Sequence, residues 1–155
     1  MACRHVIGGL LACWVMCGGG GVSAQKAAPK IDGAWKLTKM EYYGKVRPMD
    51  DWIQRHWTFR GEKVVVKVPG AGGRETPVEW DLKLDPSKIP AEITLTMNRV
   101  AGAASFRGIY EFKGDPIGGD KLTLCLTDDN DAPRPTEFKA TRADRWTLLY
   151  LERDR

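Results

Sequence analysis

The chain has 155 residues, 43% of them hydrophobic and 28% charged, with a formal net charge of +4. That length holds one domain rather than two. A small positive surplus with no run of five like charges excludes the footprint of a nucleic-acid binder.

The first 24 residues differ from the rest. Met1-Ala2-Cys3-Arg4 is a short positive start, Val6 to Cys17 is apolar, and Val22-Ser23-Ala24 puts small residues where signal peptidase reads them. The pattern predicts a signal peptide over 1–24, cleavage after Ala24 and export to the periplasm or beyond. The apolar run is too short for a transmembrane span. Leu10-Leu11-Ala12-Cys13 is the competing signal, a lipoprotein start at Cys13, with a short apolar stretch ahead of it. Cleavage at Ala24 removes Cys3, Cys13 and Cys17 and leaves Cys125 alone, so no internal disulfide can form. Core burial must hold the domain together. Residues 25–31 are expected to be a disordered lead-in, and residues 32–155 the folded domain.

From Asp32 onward the periodicity is two. Trp35 and Leu37 alternate with Lys36 and Thr38 in a first strand ending near Tyr43-Gly44. Pro48, Met49, Trp52 and Ile53 then carry helical spacing, which predicts one short helix over 48–55. Trp57 and Phe59 mark the next strand, Arg60-Gly61-Glu62 turns the chain, and Val64 to Val68 returns it. After the loop Pro69 to Gly73, Val78, Trp80, Leu82 and Leu84 form the cleanest amphipathic strand in the chain. Ile93, Leu95 and Met97 follow, then Phe106 to Phe112, Leu122 to Leu126, Thr136 to Ala140 and Trp146 to Leu151. The expectation is an all-β fold, a single antiparallel up-and-down barrel of eight or nine short strands.

Chemistry-bearing groups are sparse. The mature chain has one histidine, His56, and two serines, Ser87 and Ser105, without a nucleophile elbow. Cys125 falls on the strand face opposite Leu124 and Leu126, where packing outweighs catalysis. One histidine and one cysteine build no familiar zinc site. Asp128-Asp129-Asn130-Asp131 superficially looks like a calcium loop, but Pro133 stands where glycine is needed and Lys139 where the closing glutamate belongs. Gly70 to Gly73 lacks the lysine of a phosphate loop. Glu79 and Asp81 share the wet face of a strand. No catalytic residue, cofactor or metal is expected. The remaining candidates are aromatic: Trp57, Trp80, Phe106, Tyr110, Trp146 and Tyr150 fall at predicted inward positions, where they either fill a barrel or line one ligand cavity.

Asp32-Gly33-Ala34-Trp35 resembles the Gly-x-Trp signature of lipocalin-like barrels. With Gly108-Ile109-Tyr110-Glu111, Asp120 to Cys125 and Pro133 to Phe138, the chain is similar to a family of secreted lipocalin-like domains abundant in planctomycete bacteria, over about Ile31 to Arg153. The resemblance implies the barrel and export. It also implies that Trp35 closes the barrel floor beneath an arginine, Arg145 or Arg153. It transfers no activity. The functional expectation is a monomeric, non-catalytic module holding a small apolar ligand, with Trp52, Trp57, Trp80, Phe106, Tyr110 and Tyr150 as its contacts and Trp52 on a helix across the open end. The competing expectation is a filled barrel that engages an envelope protein through Arg99, Arg107 and Lys139.

Overall fold

The computed structural model describes residues 31–48, 56–70, 74–99, 102–114, 117, 119–127 and 131–154. Nine strands follow one another: β1 (Gly33–Tyr42), β2 (Lys45–Arg47), β3 (His56–Arg60), β4 (Lys63–Pro69), β5 (Glu75–Asp85), β6 (Ala91–Arg99), β7 (Gly102–Lys113), β8 (Lys121–Thr127) and β9 (Trp146–Arg153). From β3 onward each strand pairs antiparallel with the next, and β9 closes the circle on β1. The result is an eight-stranded antiparallel barrel. No helix occurs among the described residues, and the helix expected over 48–55 lies almost wholly outside them.

The ninth strand, β2, is a hairpin arm on β1. Tyr43 and Gly44 both take positive φ, 52° and 73°, the two-residue turn whose twist suits a hairpin. All three residues of β2 are exposed, so it left no alternation in the sequence to mark it. β1 therefore serves two partners on one edge: Gly33 to Lys36 pair with β3, and Met40 to Tyr42 pair with β2. The register against β9 slips between Leu37 and Lys39. Thr38 sits at this bulge and donates its hydroxyl to the Tyr150 carbonyl at 3.2 Å. A bulge bends the strand and switches which residues face inward, so Trp35 and Leu37 are buried ahead of it and Met40 packs on the core beyond it.

Two apolar layers result. The barrel interior gathers Trp35, Leu37, Trp57, Phe59, Val64, Val66, Trp80, Leu82, Ile93, Leu95, Met97, Tyr110, Leu122, Leu124, Leu126, Leu149 and Leu151. A smaller cluster lies on the outer face: Ile109, Cys125 and Leu148 form one cross-strand row, joined by Ala140 and Trp146, with Phe138 and Tyr150 at its rim.

The chain from Asp131 to Arg145 covers this outer cluster. Thr136 to Ala140, expected as a strand, contains none. Pro133 and Pro135 lack the N–H a ladder needs, and this segment forms a strap in which Pro135 is itself fully buried. Arg134 fastens it. One guanidinium nitrogen donates to the carbonyls of Ile93 at 2.7 Å and Gly108 at 2.5 Å, which face each other across β6 and β7. The other donates to Thr94 Oγ1 at 3.1 Å. Arg107 Nη2 donates to the Ala132 carbonyl and Trp146 Nε1 to that of Pro133.

One end of the barrel is clasped shut. Trp35 is fully buried and donates its indole N–H to the Ile31 carbonyl at 2.7 Å. The Arg153 guanidinium lies over that indole, 4.2 Å from the ring centre. It donates from Nε and Nη2 to Asp120 Oδ2 at 3.1 and 2.9 Å, and from Nη1 to the Asp32 carbonyl. Gly33 makes this approach possible: its φ is +123°, and a Cβ there would sit 2.5 Å from Arg153 Nη1. Of the two arginines expected over Trp35, Arg153 takes the place.

Candidate functional site

The barrel interior is where the sequence placed the site, and the structure sorts those residues. Trp57, Trp80 and Tyr110 are inside, 3%, 8% and 3% exposed. Phe106 packs on the same core and stays half-buried. The rings form a continuous aromatic wall across three strands of the barrel. Trp57 lies stacked near Phe59 at 6.2 Å between ring centres. Trp80 meets Trp57 edge-on at 5.7 Å and stacks on Phe106 at 5.5 Å, with an interplanar angle of 20°. Phe59 was not among the expected contacts, although its place two residues after Trp57 signals it. Offset and edge-to-face pairs of this kind are the preferred aromatic geometries.

Two expected inward residues face outward. Tyr150 and Trp146 belong to the outer cluster, while Leu149 and Leu151 take the interior positions on β9. The run Trp146-Thr147-Leu148-Leu149-Tyr150-Leu151 has apolar groups on both faces, so alternation alone could not say which side was the core. Tyr150 borders a shallow outer groove of about 230 Å³ beside the β1 bulge, together with Thr38, Lys39 and Lys121. Lys39 lies over its ring at 4.8 Å, and its hydroxyl reaches Glu41 at 3.3 Å. Burial, followed by the nearby Glu41 charge, pushes its phenol above the usual range. Tyr150 therefore contributes nothing to the barrel interior. Trp52 lies outside the described residues.

Among the described residues, two buried side-chain polar atoms of the interior have no hydrogen-bond partner: Trp80 Nε1 and the Tyr110 hydroxyl. Burial, with a smaller effect from the Asp85 charge, raises the Tyr110 phenol above its ordinary value. No sequence pattern announces such atoms, because they depend on what packs around a ring rather than on its residue type.

The other groups resolve into structure. His56 Nδ1 faces Asp154 at 3.4 Å. Ser105 shares a hydrogen bond of 3.1 Å with Thr96, on strands that do not pair with the strand of His56. Glu79 and Asp81 both bind Lys63, at 3.0 and 2.7 Å, which pushes that ammonium up to about 12. Cys125 is buried under the strap, its thiol donating to the Lys139 carbonyl at 3.5 Å, and burial pushes it up to about 11. Of the basic residues expected on an interaction face, Arg107 is committed to the strap, and Lys139 is exposed with Glu137 at 3.8 Å; the side chain of Arg99 lies outside the described residues. Among the described residues no cluster of three or more His, Cys, Asp or Glu could hold a metal ion. No helix there is long and apolar enough to cross a membrane.

No family model, no curated protein and no solved structure matches the chain.

Proposed function

We propose that the chain is an exported, lipocalin-like barrel that binds a small apolar molecule without transforming it. Export rests on the Arg4, Val6–Cys17 and Val22-Ser23-Ala24 pattern. One observation carries the binding reading: the aromatic wall of Trp57, Trp80 and Phe106 lines the inside of a closed eight-stranded barrel, and Phe106, stacked on Trp80, is only partly buried. Barrels of eight strands are at the size where the interior either packs solid or holds one small ligand. Concave, mostly aromatic surface with few polar groups is the ordinary character of such sites.

The test is fluorescence titration of the purified mature chain with N-phenyl-1-naphthylamine, a neutral apolar dye. Saturable enhancement at one dye per chain, weakened in a Trp80→Ala variant that still unfolds cooperatively, is the expected result. A wild-type chain that leaves the dye dark overturns the reading, and the envelope-interaction role takes its place.

A further inference from the structure

Trp80 Nε1 and the Tyr110 hydroxyl are the two buried side-chain polar atoms left without a partner among the described residues, and both residues belong to the interior core. They are not equivalent. A tyrosine hydroxyl donates and accepts, whereas an indole N–H only donates. The hydroxyl is satisfied by a donor or by an acceptor, the indole by an acceptor alone. Their places in the barrel differ too. Trp80 stacks on Phe106, and Tyr110 stands four residues further along β7, roughly 13 Å at the rise of a strand, toward the β7–β8 connection and the Asp120 clasp. Trp80 alone sits within the aromatic wall, framed by Trp57 and Phe106.

We infer that the barrel's ligand is an uncharged apolar molecule carrying a hydrogen-bond acceptor of the carbonyl or ether kind, which the indole N–H of Trp80 reads. The inference rests on the binding role proposed above and adds the chemical class. Leaving a buried donor unmade costs its full desolvation, so an acceptor placed against it restores more than an ordinary hydrogen bond contributes. Among the described residues no charged side chain is buried. One neutral donor does not offset the burial of an anion, so a ketone, ester or ether suits the site and a carboxylate does not.

The experiment competes three compounds against bound N-phenyl-1-naphthylamine: hexylbenzene, hexanophenone, in which one CH₂ is replaced by a carbonyl, and the anion of 6-phenylhexanoic acid at neutral pH. Hexanophenone should bind about tenfold more tightly than hexylbenzene, the size expected for one satisfied buried donor, and the anion no better than hexylbenzene. In Trp80→Phe the ketone preference should shrink to about threefold or less, while Trp57→Phe, which keeps the Trp80 N–H, should retain it. In the wild-type chain the Trp80 indole proton resonance should move downfield with hexanophenone and stay with hexylbenzene, a reading that needs no variant to fold. Equal binding of hexylbenzene and hexanophenone overturns the acceptor while leaving the binding role intact. A ketone preference unchanged in Trp80→Phe overturns the assignment to Trp80, and tightest binding by the anion overturns the uncharged class. Failure to bind the dye and all three compounds removes both proposals.

Discussion

Arg153→Ala tests how the barrel is held shut. Three interactions of the guanidinium set the expected loss: its stacking over Trp35 at 4.2 Å, worth about 0.5–1 kcal/mol where water still reaches it; the two bonds to Asp120, whose side chain is 34% exposed against 24% for Arg153, worth about 1 kcal/mol after screening; and the bond to the Asp32 carbonyl, worth about 1 kcal/mol. Together they amount to about 2–3 kcal/mol, because terms sharing one group do not add fully. Urea unfolding followed by tryptophan fluorescence should give a lower midpoint at unchanged slope, the sign of a loss in stability rather than in compactness. Arg153→Lys should recover less than half of the loss, since an ammonium keeps the charge but neither the fork nor the flat face. Gly33→Ala attacks the same contact from the other side, through a Cβ 2.5 Å from Nη1 and a φ of +123°. Its cost should therefore be smaller in the Arg153→Ala background than in the parent. Arg153→Ala within about 0.5 kcal/mol of the parent, the range of an ordinary surface change, would refute the clasp, as would full additivity with Gly33→Ala.

Two further predictions concern the strap. Arg134→Ala removes three donated hydrogen bonds, two of them to strand carbonyls, and should lower stability by about 2–3 kcal/mol while speeding hydrogen exchange in β6 and β7. Cys125 should resist a thiol reagent at pH 8 in the native chain and react at once in urea, with Arg134→Ala restoring reactivity in the folded state. Because burial raises this thiol from 9.0 to about 11, the folded state holds its proton longer than the unfolded one. Its stabilising contribution is complete below pH 9 and is lost as the pH climbs toward 11, which stability measured across that interval will show.

Much of the fold was legible because most strands wet one face. Val78, Trp80, Leu82 and Leu84 alternate with Glu79, Asp81 and Lys83, and β5 lies where that pattern puts it. Legibility failed where a second apolar layer intervened. On β9 the outer face is also dry, so Trp146 and Tyr150 read like interior residues, and only the strap over that face decides the matter. The strap itself looked like a strand at Thr136 to Ala140 because its apolar residues, Phe138 and Ala140, pack downward at a spacing of two. The inward placement of Trp57, Trp80, Phe106 and Tyr110 followed from parity alone. Tyr150 was misplaced, since its inward placement assumed a parity that the double-faced run of β9 does not determine. The unpartnered indole of Trp80 had no sequence signal.

Closure through β1 and β9 also sets how the domain answers to force. The two strands run antiparallel, and their first cross-strand pair is Trp35 with Arg153, near the points where the chain enters and leaves the barrel. Tension applied through the two ends of the domain arrives at one end of this seam and opens it like a zipper, bond after bond, instead of shearing all of its rungs together. The Asp154 amide, bonded to the Ala34 carbonyl at 2.9 Å, and the Arg153 clasp are the first rungs to carry the load. A fold whose circle is complete in solution thus has one preferred place to tear, and the arginine over the tryptophan stands at its lip.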